Sequence, residues 1–179
     1  KLTIKKDFNM AADVIKLNES GESMWEQYRN ETDQTITVVG VLILSAKLCV
    51  ADGHFTSREE EEILKIIPHE PRQKKILKGI LEKASKDSKP IEHHALELKR
   101  LVGIRHPDFL EFVVAVLYRL AKIDFIVSKK EEEDIRKVAS VFGIKKTLGD
   151  RARGLIDSVL TKINISVKNI VEKLNAKSK

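Results

Sequence analysis

A single cysteine, Cys49, in 179 residues rules out an internal disulfide. It sits in an apolar run, where a thiol behaves as a small core hydrophobe, and that usage fits a reducing compartment. Aromatic residues make up only 5% of the chain. Strands lean on aromatic and β-branched residues in alternation, whereas Leu, Ile, Lys, Glu and Ala dominate here, so the fold class is all-α. Long apolar runs are missing too. The longest, Val38–Val50, is interrupted by Gly40, Ser45 and Lys47 and falls well short of the roughly 20 residues that span a bilayer. There is no glycine-rich phosphate loop and no Gly-x-Ser-x-Gly nucleophile elbow, so the chain reads as non-enzymatic.

What the sequence does contain is helix-forming charge. Charged residues are 34% and apolar residues 42% of the chain, and its length suits one well-buried domain with short tails. The net charge of +6 raises a nucleic-acid or anionic-membrane partner, but its distribution argues for separate faces. Basic residues gather at Lys1, Lys5 and Lys6, from Arg72 to Lys75, from Lys145 to Arg153 and from Lys168 to Lys179, while Glu59–Glu62 and Glu131–Asp134 form acidic blocks.

Apolar periodicity sets the order of elements. Residues 1–33 form a polar arm around one amphipathic stretch, Phe8 to Leu17, with Trp25 and Tyr28 placed to pin it onto the body. A helix from about Gln34 to Ala51 is apolar all round and is expected to be the buried hub. Thr56 or Ser57 opens the next, stopped by Pro68. A third starts near Pro71 with Ile76, Ile80 and Leu81 inward, followed by a polar linker over Lys83–Lys89. Pro90 starts a helix closed by Gly103, Pro107 a second hub helix, and Ser128 a helix ending at Gly143. Thr147 or Asp150 opens a last helix within a domain spanning 34–163, and 164–179 form a basic helix or tail.

The chain also repeats itself. Leu48-Cys49-Val50-Ala51-Asp52-Gly53-His54-Phe55-Thr56-Ser57-Arg58-Glu59 through Ile63 returns 72 residues on as Leu120 through Asp124, Ser128 and Glu131 to Ile135, an internal duplication. In each copy a hydroxyl stands three residues before a Glu, the signature of a capping box. Gly53 suits a left-handed turn, and Phe55 or Val127 stands where a hydrophobic staple would. The Asp is unexplained by capping, because an anion at a helix C-terminus opposes the dipole. Two readings follow. Asp52 and Asp124 accept hydrogen bonds from their own turns, or they share a hard cation such as Ca²⁺ or Mg²⁺ with Glu59 and Glu131, the two copies approaching each other. An EF-hand is excluded, since neither loop has its alternating ligands.

At these residues the chain resembles the TerB-like family, the helical domain of tellurite-resistance proteins that also occurs in membrane-anchored J-domain co-chaperones. The pattern is a hydrophobic helix ending in Ala51-Asp52-Gly53, a hydroxyl, then Glu59, repeated more weakly from Lys122-Ile123-Asp124 through Ser128 to Glu131. In the second copy Phe125 replaces the glycine, so its turn differs. The resemblance implies an internally duplicated bundle of about seven to nine helices. It also implies a non-enzymatic role in assemblies at or near a membrane, in a stress-response or co-chaperone setting, with acidic residues that bind divalent cations.

His106-Pro107-Asp108 matches the tripeptide of J domains, but Pro107 opens an apolar helix with His106 as its N-cap, not an exposed loop. His93 and His94 lack a third ligand at zinc spacing. The expectation is a cytoplasmic interaction or regulatory module with a protein partner, a chaperone or membrane-associated complex. Any membrane attachment is left to segments outside this chain. The alternative is a basic helical adaptor that uses the Lys-rich C-terminal segment on anionic membrane or nucleic acid.

Overall fold

Thr32 starts the first helix as its chemistry allows: its hydroxyl accepts from the Thr35 amide, and α1 runs Asp33–Cys49. The computed structural model describes residues 24–144 apart from 54, 68, 70 and 123–127. After α1 come α2 (Ser57–Ile66), α3 (Lys74–Lys86) and α4 (Ile91–Leu98), which continues as a π-helical turn over Lys99–Gly103. α5 (Pro107–Ala121) and α6 (Lys129–Phe142) complete the set. Short 3₁₀ turns lie at Glu26–Tyr28, Val50–Asp52 and Pro71–Gln73. The described residues hold six α-helices and no strand, so the all-α reading stands. The helices expected over Phe8–Leu17 and after Thr147 lie outside them.

α1 is the hub that its uniform apolarity implies. Its residues from Thr35 to Cys49 are buried except Lys47, and α3, α4 and α5 pack around it. The buried Thr37 hydroxyl donates to the Asp33 carbonyl at 2.7 Å, which offsets its desolvation. Gly40 lies against Leu98 of α4. A Cβ there would lie 2.6 Å from Leu98 Cδ2, and Leu98 is fully buried, so its side chain or the helix crossing would have to shift.

The two hub helices run side by side in the same direction. Asp33, at the start of α1, takes two hydrogen bonds from Arg105 at 2.7 and 2.8 Å and faces His106 Nε2 at 3.2 Å, just before α5 begins. This bidentate clamp ties the two N-termini together, and the carboxylate also suits the positive end of α1. The Arg105 guanidinium beside it holds the Asp33 carboxyl below the usual carboxylate range. With the N-termini joined and α1 packed on α5, the duplicated turns leave the bundle at the opposite end.

Two local expectations shift. The polar stretch Lys83–Lys89 is not all linker: α3 continues to Lys86 because Ala84, fully buried, extends the stripe of Leu77 and Leu81. Ile76 and Ile80 flank that stripe, half-buried. Trp25 and Tyr28 pin the chain before α1 to the body as anticipated, both buried, with the indole N–H donating to His94 Nδ1 at 3.1 Å.

Gly40→Ala forces a methyl into Leu98 inside a packed crossing, an overpacking change of about 1–3 kcal/mol. Urea denaturation should show the midpoint falling with unchanged slope; an unaltered midpoint would mean that α4 does not rest on α1 at this point.

Candidate functional site

Both copies of the repeated motif fold as the capping box their residues encode. Thr56 precedes α2, and its amide and hydroxyl donate to Glu59 Oε2 at 2.7 and 2.8 Å, while the Glu59 amide donates to Thr56 Oγ1 at 3.2 Å. Ser128 does the same for α6. Its amide donates to Glu131 Oε2 at 2.9 Å and its hydroxyl accepts from the Glu131 amide at 3.1 Å. Each box satisfies amides that a helix start leaves open, worth about 1 kcal/mol. Ile63 and Ile135, four residues on, are fully buried.

In the first copy the chain leaves α1 through the 3₁₀ turn Val50–Asp52, and Gly53 follows at φ 100° with its amide bonded to the Val50 carbonyl. That left-handed backbone is open to glycine at little cost. Phe55 then packs against the core. Asp52 thus closes the turn, but its side chain lies outside the described residues, as does all of Asp124. The turn Val50–Asp52 rests against α6, which carries Glu131, and α2, which carries Glu59, touches α5. Each copy therefore touches the other through one of these elements, while α2 and α6, which carry Glu59 and Glu131, are not themselves among the main packed pairs. Among the described residues no three His, Cys, Asp or Glu side chains stand close enough to hold a metal ion.

A polar network lies inside the same end of the bundle. Lys47 Nζ reaches from α1 to the Asp87 carbonyl at 2.7 Å, and burial pulls its ammonium pKa down. The neighbouring Asp134 carboxyl of α6 is pushed up by its own burial. His94 sits between, almost wholly buried. Its Nδ1 accepts from Trp25, which leaves the ring proton on Nε2, 3.6 Å from Asp87 Oδ2. Burial lowers the His94 pKa from 6.5 to about 4 against the opposing pull of Asp87, so the ring is neutral. His94 is thus a core acceptor for the arm, and although Asp87 and His93 lie near it, no set of three metal-ligating side chains forms among the described residues. The sequence carries one signal of these contacts, a lysine inside an apolar run, but no spacing joins Lys47 to Asp87 or Asp134.

His106-Pro107-Asp108 forms the start of α5, with Pro107 at its first position. The His106 ring stacks on Phe109 at 4.4 Å and faces Asp33, so the tripeptide is tied down and does not occupy an exposed loop.

Fold and turns together define a duplicated, all-helical domain with two acid-capped helices at one end. The family model for the tellurite resistance protein TerB matches residues 39–154, well over half of the chain, and the chain belongs to that family. The TerB domain is a helical and generally non-enzymatic unit. No curated protein and no solved structure gives a significant match.

The buried imidazole makes stability depend on acid. The unfolded chain takes up a proton at His94 below about pH 6.5 and the folded chain only below about 4. Between those values the unfolded state holds more protons, so stability falls as the pH drops, by up to roughly 1.4 kcal/mol per pH unit. His94→Gln keeps an acceptor for Trp25 without titrating, and should flatten that slope in urea melts from pH 7 to 4. An unchanged slope would place the acid sensitivity elsewhere.

Proposed function

We propose that the chain is a non-enzymatic docking module of a stress-response or co-chaperone assembly, whose acidic turns take up a divalent cation through Asp52, Glu59, Asp124 and Glu131. Family membership supports the helical-module part of this reading. The observation that carries the cation part is the contact between the Val50–Asp52 turn and α6, which brings acidic elements of both copies to one end. Hard oxygen donors from several segments suit Ca²⁺ or Mg²⁺. Glu59 and Glu131 would each then both cap a helix and ligate, with the Asp residues giving the charge that capping does not use. A cation held there would lock the two copies together and set the shape of the docking faces.

No described helix is long and apolar enough to cross a membrane. The basic-adaptor alternative rests on the C-terminal segment, which lies outside the described residues.

Thermal melts of metal-stripped protein test the cation. A cation that binds only the folded state adds about 2.7 kcal/mol at a hundredfold excess over its dissociation constant. Millimolar Ca²⁺ or Mg²⁺ should raise the melting temperature of the wild type and leave Asp52→Asn and Asp124→Asn unmoved. Glu59→Ala is a poor probe, because it removes a cap along with a ligand. No shift in the wild type would leave the turns as architecture alone.

A further inference from the structure

Five glycines fall among the described residues, and four have a reason to be glycine. A Cβ at Gly40 or Gly103 would strike Leu98 or Leu110, and Gly53 and Gly143 hold positive φ. Gly79 has neither reason. It lies in the middle of α3, where an added Cβ would meet nothing within 4 Å, on a helical backbone for which glycine is among the least favourable residues. Nothing inside the described fold accounts for it.

The surface around Gly79 has a consistent character. α3 packs mainly on α1 with Leu77, Leu81 and Ala84 and touches α2, so among the described residues it is an edge helix. Its 13 residues include five lysines and one glutamate. Lys74 and Lys78 turn toward α2 and pair with Glu61 and Glu60, each at 3.0 Å. Lys75 and Lys83, on the other flank, make no ion pair among the described residues. Lys75, Gly79 and Lys83 follow one another at i, i+4 and i+8, and Ile76 and Ile80 stand half-buried one helical turn apart in the next row, beside Gly79. The Lys83 ammonium is partly desolvated, which lowers its pKa, and no carboxylate offsets that cost.

We propose that this flank of α3 is a docking face for an acidic amphipathic helix of a protein partner, seated over Gly79 and against Ile76 and Ile80, with carboxylates meeting Lys75 and Lys83. Unpaired positive charge calls for an acidic partner. The glycine argues for a helix over a lipid surface, because a missing side chain lets another backbone come close, whereas headgroups gain nothing from a notch. The inference rests on the docking-module reading and assigns it a surface and a partner chemistry. The surface lies on α3, away from the acidic caps.

The probe is a labelled 18-residue helical peptide with Leu on one face and Glu on the rest, followed by fluorescence anisotropy on the full chain. It should bind, and Lys75→Glu with Lys83→Glu should weaken binding at least tenfold. Gly79→Gln fills the notch without a clash and improves helix propensity, so it should keep or raise the melting temperature while also costing at least tenfold in binding. Binding indifferent to Gly79→Gln, or absent altogether, overturns the proposal. So does binding to phosphatidylglycerol vesicles with none to the peptide, or a dimer in sedimentation that Lys83→Glu dissolves, which would make the occupant a second copy. Peptide binding that survives all three α3 substitutions but responds to charge changes on another helix would sink this surface and leave the docking-module reading standing.

Discussion

A helix that is apolar on every side cannot stay in water and must be surrounded, and the burial of α1 is the constraint on which the other elements depend. Its neighbours α3, α4 and α5 each present an apolar stripe to it, and their arrangement follows from where α1 can be approached. Gly40 lets α4 sit against its backbone, and Asp33 fixes the start of α5 beside its own start. Once α1 and α5 lie side by side in one direction, the helices that follow them are delivered to the same end. The duplication thus becomes a spatial feature: two equivalent turns leave one face of the bundle, and each following helix packs on the other copy.

At that end two kinds of chemistry lie one above the other. Outside, the capping boxes of α2 and α6 use one oxygen of Glu59 and one of Glu131 to close helix starts. Inside, the Lys47 ammonium bonds the Asp87 carbonyl, and neutral His94, 3.6 Å from the Asp87 carboxylate, accepts from Trp25. The arm before α1 is thus bonded to α4, and the hub to the linker after α3, by two separate polar contacts at this end. Such ties suit a scaffold whose outer faces must keep fixed relative positions.

The helix order and the caps are legible in the sequence because they are local: Thr56 with Glu59, Ser128 with Glu131, Pro107 at the start of α5 and left-handed Gly143 all act within a few residues. The anchoring role of Trp25 is legible too, since a lone indole in a polar segment needs a home. The inward face of α3 is rotated by roughly 50° from where Ile76, Ile80 and Leu81 put it, because Ile76 and Ile80 outrank Ala84 in apolar area although Ala84 is the one wholly buried. Contacts between residues far apart in sequence, such as Arg105 with Asp33 or Lys47 with Asp87, have no local signature. Of the four proposed cation ligands, two are located by their capping pattern and a third by its turn. The meeting of the two copies is a product of tertiary packing that no spacing encodes.

Native-state hydrogen exchange tests most directly whether the paired hubs form one core on which everything else rests. The amides of Leu42–Leu44 in α1 and Val113–Val116 in α5 should exchange only through global unfolding, with the same free energy and the same denaturant dependence in both helices. Exchange of the α5 amides through a separate opening of lower energy, while α1 stays protected, would contradict the account and make the two copies independent units.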